Sequence, residues 1–270
     1  MKLGISSYTY TWAVGVPGHT PTHPLSAFDL LDRAEALGVR LVQIADNLPL
    51  HALSLSELSA LAGRADAAGI DIEVGTRGIA PVHVRTYLDL ATGLGSRILR
   101  DVVDTADHQP SPHEVVTILQ ALAPELKAAD VILAIENHDR FSCGTLMAIL
   151  ERVASPYVGI CLDTANSFGA LEGPDTVVRS LGPWTVNLHV KDFAIARAPH
   201  QMGFAIEGRP AGKGRLDVPW LLDTLQSMGR DVNAVLELWT PPEPTLAATI
   251  AKEAAWAEES VAHLRRFIQE

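Results

Sequence analysis

Short, almost continuously apolar runs rich in β-branched residues alternate along the chain with longer runs in which alanine and leucine recur every three to four positions. The short runs cover 2–8, 41–45, 71–76, 98–103, 131–136, 158–163, 185–190 and 234–238. Several read VILAI, VGICL or AVLEL, the pattern of strands buried on both faces of a parallel sheet. The longer runs predict helices over 25–37, 56–68, 82–94, 112–129 and 218–228, and a last helix over 248–268 that covers the sheet. Gly38, Gly69, Gly95 and Gly229 follow four of them, where a left-handed cap is needed, while Ser111 and Asp217 precede two as N-caps. Strict alternation of eight strands with helices predicts a single (β/α)8 TIM barrel, read here as one domain over 1–270. A doubly wound open sheet is the second choice, but no G-x-G-x-x-G lies between Gly4 and Tyr10 after the first strand. The segment 194–215, carrying Pro199, Gly203, Gly208, Pro210, Gly212 and Gly214, reads as a long irregular loop after the seventh strand, a lid over the barrel mouth.

In such a barrel chemistry sits at the C-terminal strand ends. The fifth strand ends in Ile135-Glu136-Asn137-His138, the sixth in Cys161-Leu162-Asp163 and the seventh in His189-Val190-Lys191-Asp192. The eighth ends in Glu237-Leu238-Trp239. Strand periodicity puts Glu136 with His138, His189 with Lys191, and Glu237 with Trp239 on shared faces. Three carboxylates and an imidazole at one height repel one another unless a cation lies between them. One nitrogen and three oxygen donors suit a hard divalent ion, with Mn2+ first and Mg2+ or Co2+ next.

Length and charge narrow the function classes. The 270 residues match the roughly 250 of a typical (β/α)8 barrel. With 21 basic against 32 acidic residues the net charge of −11 repels nucleic acid. Cys143 and Cys161 alone form neither a disulfide scaffold nor a zinc-finger array and suit a reducing compartment. Apolar runs fall short of the ~20 residues of a membrane span, and the first residues lack a signal-peptide core. The expectation is a cytoplasmic protein with no nucleic-acid or membrane partner, acting on a small molecule, with homo-oligomerisation left open.

These residues resemble the xylose isomerase-like TIM barrels, also called the AP-endonuclease-2-like or sugar phosphate isomerase/epimerase group. The marks are the Glu of AIENH, the Asp of GICLDTAN, the H-x-K-D of NLHVKD, the Glu of VLELW, and Gly212-Lys213-Gly214-Arg215-Leu216-Asp217, similar to the family's G-x-G-x-x-D. The resemblance implies one divalent metal held by Glu136, Asp163, His189 and Glu237, with Glu136 and Glu237 as acid and base on opposite substrate faces. It implies enediolate chemistry on a sugar-derived carbonyl compound, with a sugar isomerase or epimerase placed first. Two departures weaken a free-ketose epimerase. Asn166 stands where those enzymes usually carry a His, and Lys191 stands where they tend to have an Arg nearby. Extra zinc ligands and basic loops of the family's repair nuclease are not evident.

The alternative is a metal-dependent decarboxylase of a 3-oxo sugar acid. EVGTRGI, IENHDRF, LDTANS and the MGF…EGRPAG stretch are similar to the 3-oxo-isoapionate decarboxylase branch. Such chemistry needs a cation to orient the leaving carboxylate, for which Lys191, Arg77 and Arg209 are candidates. His138, Asn166 and Trp239 are read as further substrate-binding residues, against the plainer readings of a loop-bonded imidazole and ordinary packing for His138 and Trp239. Tyr8, Tyr10 and Trp12 form either an apolar pocket wall or a packed rim. Asp192 reads as a cap, Arg140 as a solvated loop charge and Cys161 as a small core residue. A non-catalytic sugar-binding barrel that retains the metal residues is the third reading.

Overall fold

The computed structural model describes residues 1–268. Eight parallel strands close in the order β1-β10-β7-β6-β5-β4-β3-β2, which excludes the open doubly wound sheet. They are β1 (Leu3–Ser6), β2 (Leu41–Ile44), β3 (Asp71–Arg77), β4 (Ile98–Val102), β5 (Ile132–Glu136), β6 (Val158–Asp163), β7 (Thr185–Val190) and β10 (Ala234–Leu236). Helices α1 (Thr11–Val14), α2 (Ala27–Leu37), α3 (Leu55–Ala68), α4 (Pro81–Gly93), α5 (Pro112–Ala129), α6 (Cys143–Val153), α7 (Pro174–Leu181), α8 (Val218–Ser227) and α9 (Leu246–Leu264) follow the strands. Outward strand residues such as Leu133, Leu162 and Leu188 pack with helix residues such as Leu119, Leu150 and Leu221 in one buried core.

Local chemistry sets the boundaries. Ser26, Ser54, Ser111 and Ser142 each accept a backbone N–H from the first turn of α2, α3, α5 and α6. Gly38, at φ 67°, closes α2 in the left-handed conformation that a side chain disfavours. β1 stops at Ser6 rather than at 8, because Ser6 turns the chain into a 3-10 segment, Ser7–Tyr10, by accepting the Tyr8 N–H at 2.8 Å. β10 stops at Leu236, so Glu237 lies just past the strand and donates its N–H to the Val190 carbonyl at 3.1 Å.

The irregular loop expected over 194–215 is corrected. β8 (Asp192–Arg197) and β9 (Phe204–Arg209) pair antiparallel from Asp192↔Arg209 to Arg197↔Phe204. Phe193 and Ile195, facing Gly208 and Ile206, supply the alternation that zips a ribbon, and the prolines and most glycines fall outside the paired residues. Among the described residues no helix is long and apolar enough to cross a membrane.

Candidate active site

The strand registers bring four ionisable residues to one point inside the barrel mouth. Asp163 of β6 stands beside His189 of β7, which stands beside Val235 of β10, two residues before Glu237. His189 Nδ1 lies 3.4 Å from Glu136 Oε2, 3.8 Å from Asp163 Oδ2 and 3.4 Å from Glu237 Oε1. All four residues are buried.

A buried chain of amides sets the imidazole. Glu73 of β3 accepts from Asn233 Nδ2 at 2.9 Å, Asn187 Nδ2 at 2.8 Å and Gln43 Nε2 at 3.1 Å. With its amide nitrogen committed to Glu73, Gln43 turns its oxygen to His189 Nε2 at 2.7 Å. Nε2 therefore carries a proton, and Nδ1, once deprotonated, turns its lone pair toward the carboxylates. His189 Nδ1 and Asp163 Oδ2 are buried and find no hydrogen-bond partner among the described residues. Lone pairs of one imidazole and three carboxylates converging on a common point, two of them unsatisfied by the protein, fit a divalent cation. Ligand atoms of Asp163, His189 and Glu237 lie within 4.8 Å of one another, as coordination requires. The anchoring of a ligating imidazole through its second nitrogen completes the fit.

Two cations flank the carboxylates and make the two glutamates unequal. Lys191 Nζ sits 2.9 Å from both Asp163 Oδ2 and Glu237 Oε2, out of hydrogen-bond alignment with the former. Burial opposes its charge, but Asp163, Glu237 and Glu136 outweigh burial and hold the ammonium well above its ordinary range. Burial likewise works against the Glu237 carboxylate, yet His189, Lys191 and Arg100 hold it below its ordinary value. On the other side Arg100, from β4, pairs its Nε with Glu136 Oε2 and its Nη1 with Asp46 Oδ1 at 2.8 Å. Asn166 Nδ2 donates to Glu136 Oε1 at 2.5 Å. Both Glu136 oxygens are thus held by Arg100 and Asn166, and both Glu237 oxygens by Lys191 at 2.9 Å and the Ser6 hydroxyl at 3.0 Å, so the two differ in their partners and in which of them lines the neighbouring cavity.

A cavity of about 580 Å³ opens beside this cluster, lined by Tyr8, Trp12, Lys191, Ile206, Glu237 and Trp239 among others. That volume lies in the range of small-molecule sites. Trp239 forms one wall, with Lys191 Nζ 5.1 Å from its ring centroid. Gly208 of β9 presses on it so closely that an added Cβ would lie 2.0 Å from the Trp239 carbonyl oxygen.

The other candidates from the sequence are dispersed. Asn166 joins the cluster, donating its backbone N–H to Asp163 Oδ1 at 2.8 Å and accepting from Lys191 Nζ at 3.3 Å. Arg77 pairs with Asp46 at 3.1 Å, and Arg209 pairs with Glu207 at 3.1 Å and its own neighbour's carbonyl. His138 pairs with Asp139 at the rim. None of these three lines the cavity. Asp192 caps the loop before α8, accepting N–H groups from Gly212, Gly214 and Leu216 at 2.9 Å each. Arg140 pairs with Asp104. Sequence reading missed Arg100, Gln43, Glu73 and Asp46. A signal existed, because Arg100, Gln43 and Glu73 are polar residues embedded in otherwise apolar strand runs.

A profile of the xylose isomerase-like TIM barrel matches residues 31–267. The chain is 34% identical over 264 residues to 3-oxo-isoapionate decarboxylase of Pectobacterium atrosepticum, covering 98% of this chain and 95% of that protein. Among solved structures, a D-psicose 3-epimerase crystallised with D-fructose superposes with a TM-score of 0.75 at 16% identity, covering 98% and 99% of the two chains. A xylose isomerase-like TIM barrel protein from Mycobacterium smegmatis in complex with magnesium gives a TM-score of 0.68 at 14% identity, covering 97% of each. At such identities the structural likeness speaks for the fold alone. Profile and full-length relative agree, and the chain belongs to the xylose isomerase-like TIM barrel family.

Proposed function

We propose that the protein is a metal-dependent decarboxylase of a 3-oxo sugar acid, of the class of 3-oxo-isoapionate. The observation that carries this reading is the inequality of the two glutamates. Glu237 and Lys191 line the cavity, whereas Glu136 is turned to Arg100 and Asn166 and does not. An isomerase or epimerase moves protons at carbon in two directions and needs two mobile groups. A decarboxylase needs one protonation and a cation for its carboxylate. Decarboxylation therefore stands ahead of isomerisation, although the family resemblance alone favours the latter. The full-length likeness to a protein named as such a decarboxylase supports the same order.

Glu136, Asp163, His189 and Glu237 would hold one divalent ion, Mn2+ first by donor hardness. A cation at that set supplies positive charge where negative charge develops on substrate oxygens. Lys191 remains an ammonium and is the cation assigned to the carboxylate, since it lines the cavity and Arg77 and Arg209 do not. Trp12 and Trp239 wall the cavity and keep water from the reacting carbon. When the bond between C1 and C2 breaks, CO2 leaves and the electron pair passes to C2, C3 and the 3-oxo oxygen. C2 then takes one proton from the Lys191 ammonium, whose N–H bond breaks and is restored from solvent after CO2 has left.

The test incubates the protein and Mn2+ with 3-oxo-isoapionate, and separately with neutral ketoses, in D2O. CO2 release with one deuterium placed at the former C2 is expected, and Lys191→Met should abolish it. Interconversion of a neutral ketose with carbon-bound exchange, and no CO2, would replace this reading by the epimerase.

A further inference from the structure

We propose that Cys161, His189 and Glu136 form a second cation site, beneath the first, that takes a thiophilic ion such as Zn2+ or Cd2+ and excludes the hard ion. Ligand atoms of these three buried residues lie within 4.8 Å of one another. Cys161 stands opposite Glu136 across the β5–β6 ladder and two residues before Asp163, nearer the barrel floor. His189 belongs to both ligand sets, and with Nε2 held by Gln43 its buried Nδ1, without a hydrogen-bond partner among the described residues, is the nitrogen left to either. One imidazole nitrogen cannot serve two ions, so occupancy is mutually exclusive.

The donor types separate the two sites. Asp163 and Glu237 add oxygen to the imidazole and select Mg2+ or Mn2+. Cys161 adds sulfur, and sulfur, nitrogen and oxygen donors together suit zinc. The hydrogen bonding around Cys161 survives the exchange of a proton for a metal. Cys161 Sγ donates to Asn187 Oδ1 at 3.3 Å, but that oxygen also accepts from Gln43 Nε2 at 3.0 Å. When the S–H bond breaks, its proton goes to solvent, an Sγ–metal bond forms, and Asn187 keeps a donor. No oxidant or reductant is involved.

The inference shares His189 and Glu136 with the metal reading above, and the experiment separates the two. Metal-free protein is titrated with Cd2+ while the ultraviolet sulfur-to-cadmium charge-transfer band is followed. One thiolate-bound Cd2+ per chain is expected in the wild type. The chain has two cysteines, so the same band in Cys143→Ser assigns it to Cys161 without disturbing the barrel interior. Asp163→Asn should keep the band while losing Mn2+ binding, read by electron paramagnetic resonance. Cys161→Ser, or Cys161→Ala should the serine not fold, should lose the band and keep Mn2+. Zinc affinity should fall there by more than the roughly 10–100-fold that loss of an outer-shell partner costs. Absence of the band in the wild type, or its loss in Cys143→Ser, overturns the thiophilic site. A band in protein that never binds Mn2+ overturns instead the hard-ion reading.

Discussion

The carboxylate of Glu253, buried on α9, accepts the backbone N–H of Trp12 at 3.0 Å and that of Ala13 at 3.1 Å. The Trp12 indole donates to the Thr240 carbonyl at 2.8 Å, so this cavity wall is held at both ends. Burial raises the Glu253 carboxyl from 4.5 to about 7, against the two N–H groups that lower it. A folded-state value above the unfolded one contributes stability that is full below 4.5 and is lost as pH rises through about 7. Wild type compared with Glu253→Gln in urea at pH 4.5 and pH 8 should lose relative stability of up to roughly 3 kcal/mol. A difference that stays constant with pH would show that Glu253 does not titrate in that window.

Gln43 fixes which nitrogen of His189 faces the carboxylates. Gln43→Ala should weaken Mn2+ binding by about 10–100-fold, measured by calorimetry, because the ring loses its anchor. Glu237→Ala should remove the ion more completely. Unchanged metal content in Glu237→Ala would sink the ligand assignment.

Arg100 neutralises Glu136 and Asp46 in a buried setting. Arg100→Met leaves both carboxylates uncompensated and should destabilise the protein by about 3–5 kcal/mol. Thermal unfolding would register a fall in Tm of the order of 10 °C. A Tm within a degree or two of wild type would mean that water replaces the guanidinium there.

Gly208→Ala forces β9 away from Trp239. The overpacking should cost about 1–3 kcal/mol and raise KM more than it lowers kcat, since the change strikes a cavity wall and not Lys191 or Glu237. Equal loss in kcat with an unchanged KM would place Trp239 outside substrate binding.

Arg209→Ala tests the ribbon as a cover contributing its own charge. With the guanidinium paired to Glu207 and turned from the cavity, kinetics should stay within about threefold of wild type, a change of well under 1 kcal/mol. A larger effect would mean that the ribbon delivers Arg209 to substrate.

The barrel and its strand-end residues were legible because their causes are local. Parallel strands covered on both faces leave uninterrupted apolar runs, helices leave caps, and a two-residue period aligns Glu136, Asp163, His189 and Glu237 on the inward face. The ribbon of β8 and β9 was not legible. Its glycines and prolines read as irregularity, whereas its pairing depends on Asp192 meeting Arg209 from seventeen positions away.

Periodicity and strand order follow from neighbouring residues, so the architecture and the four side chains that meet at the mouth are written locally along the chain. What each of them touches depends on the closed barrel. Arg100 on β4 reaches Glu136 on β5, and Glu73 on β3 orients Gln43 on β2, which orients His189 on β7. β4 lies beside β5 and β3 beside β2, and closure of the barrel brings β2 within reach of β7 across its interior. The resulting contacts, which leave Glu237 and not Glu136 lining the cavity, span distances along the chain that no local pattern records.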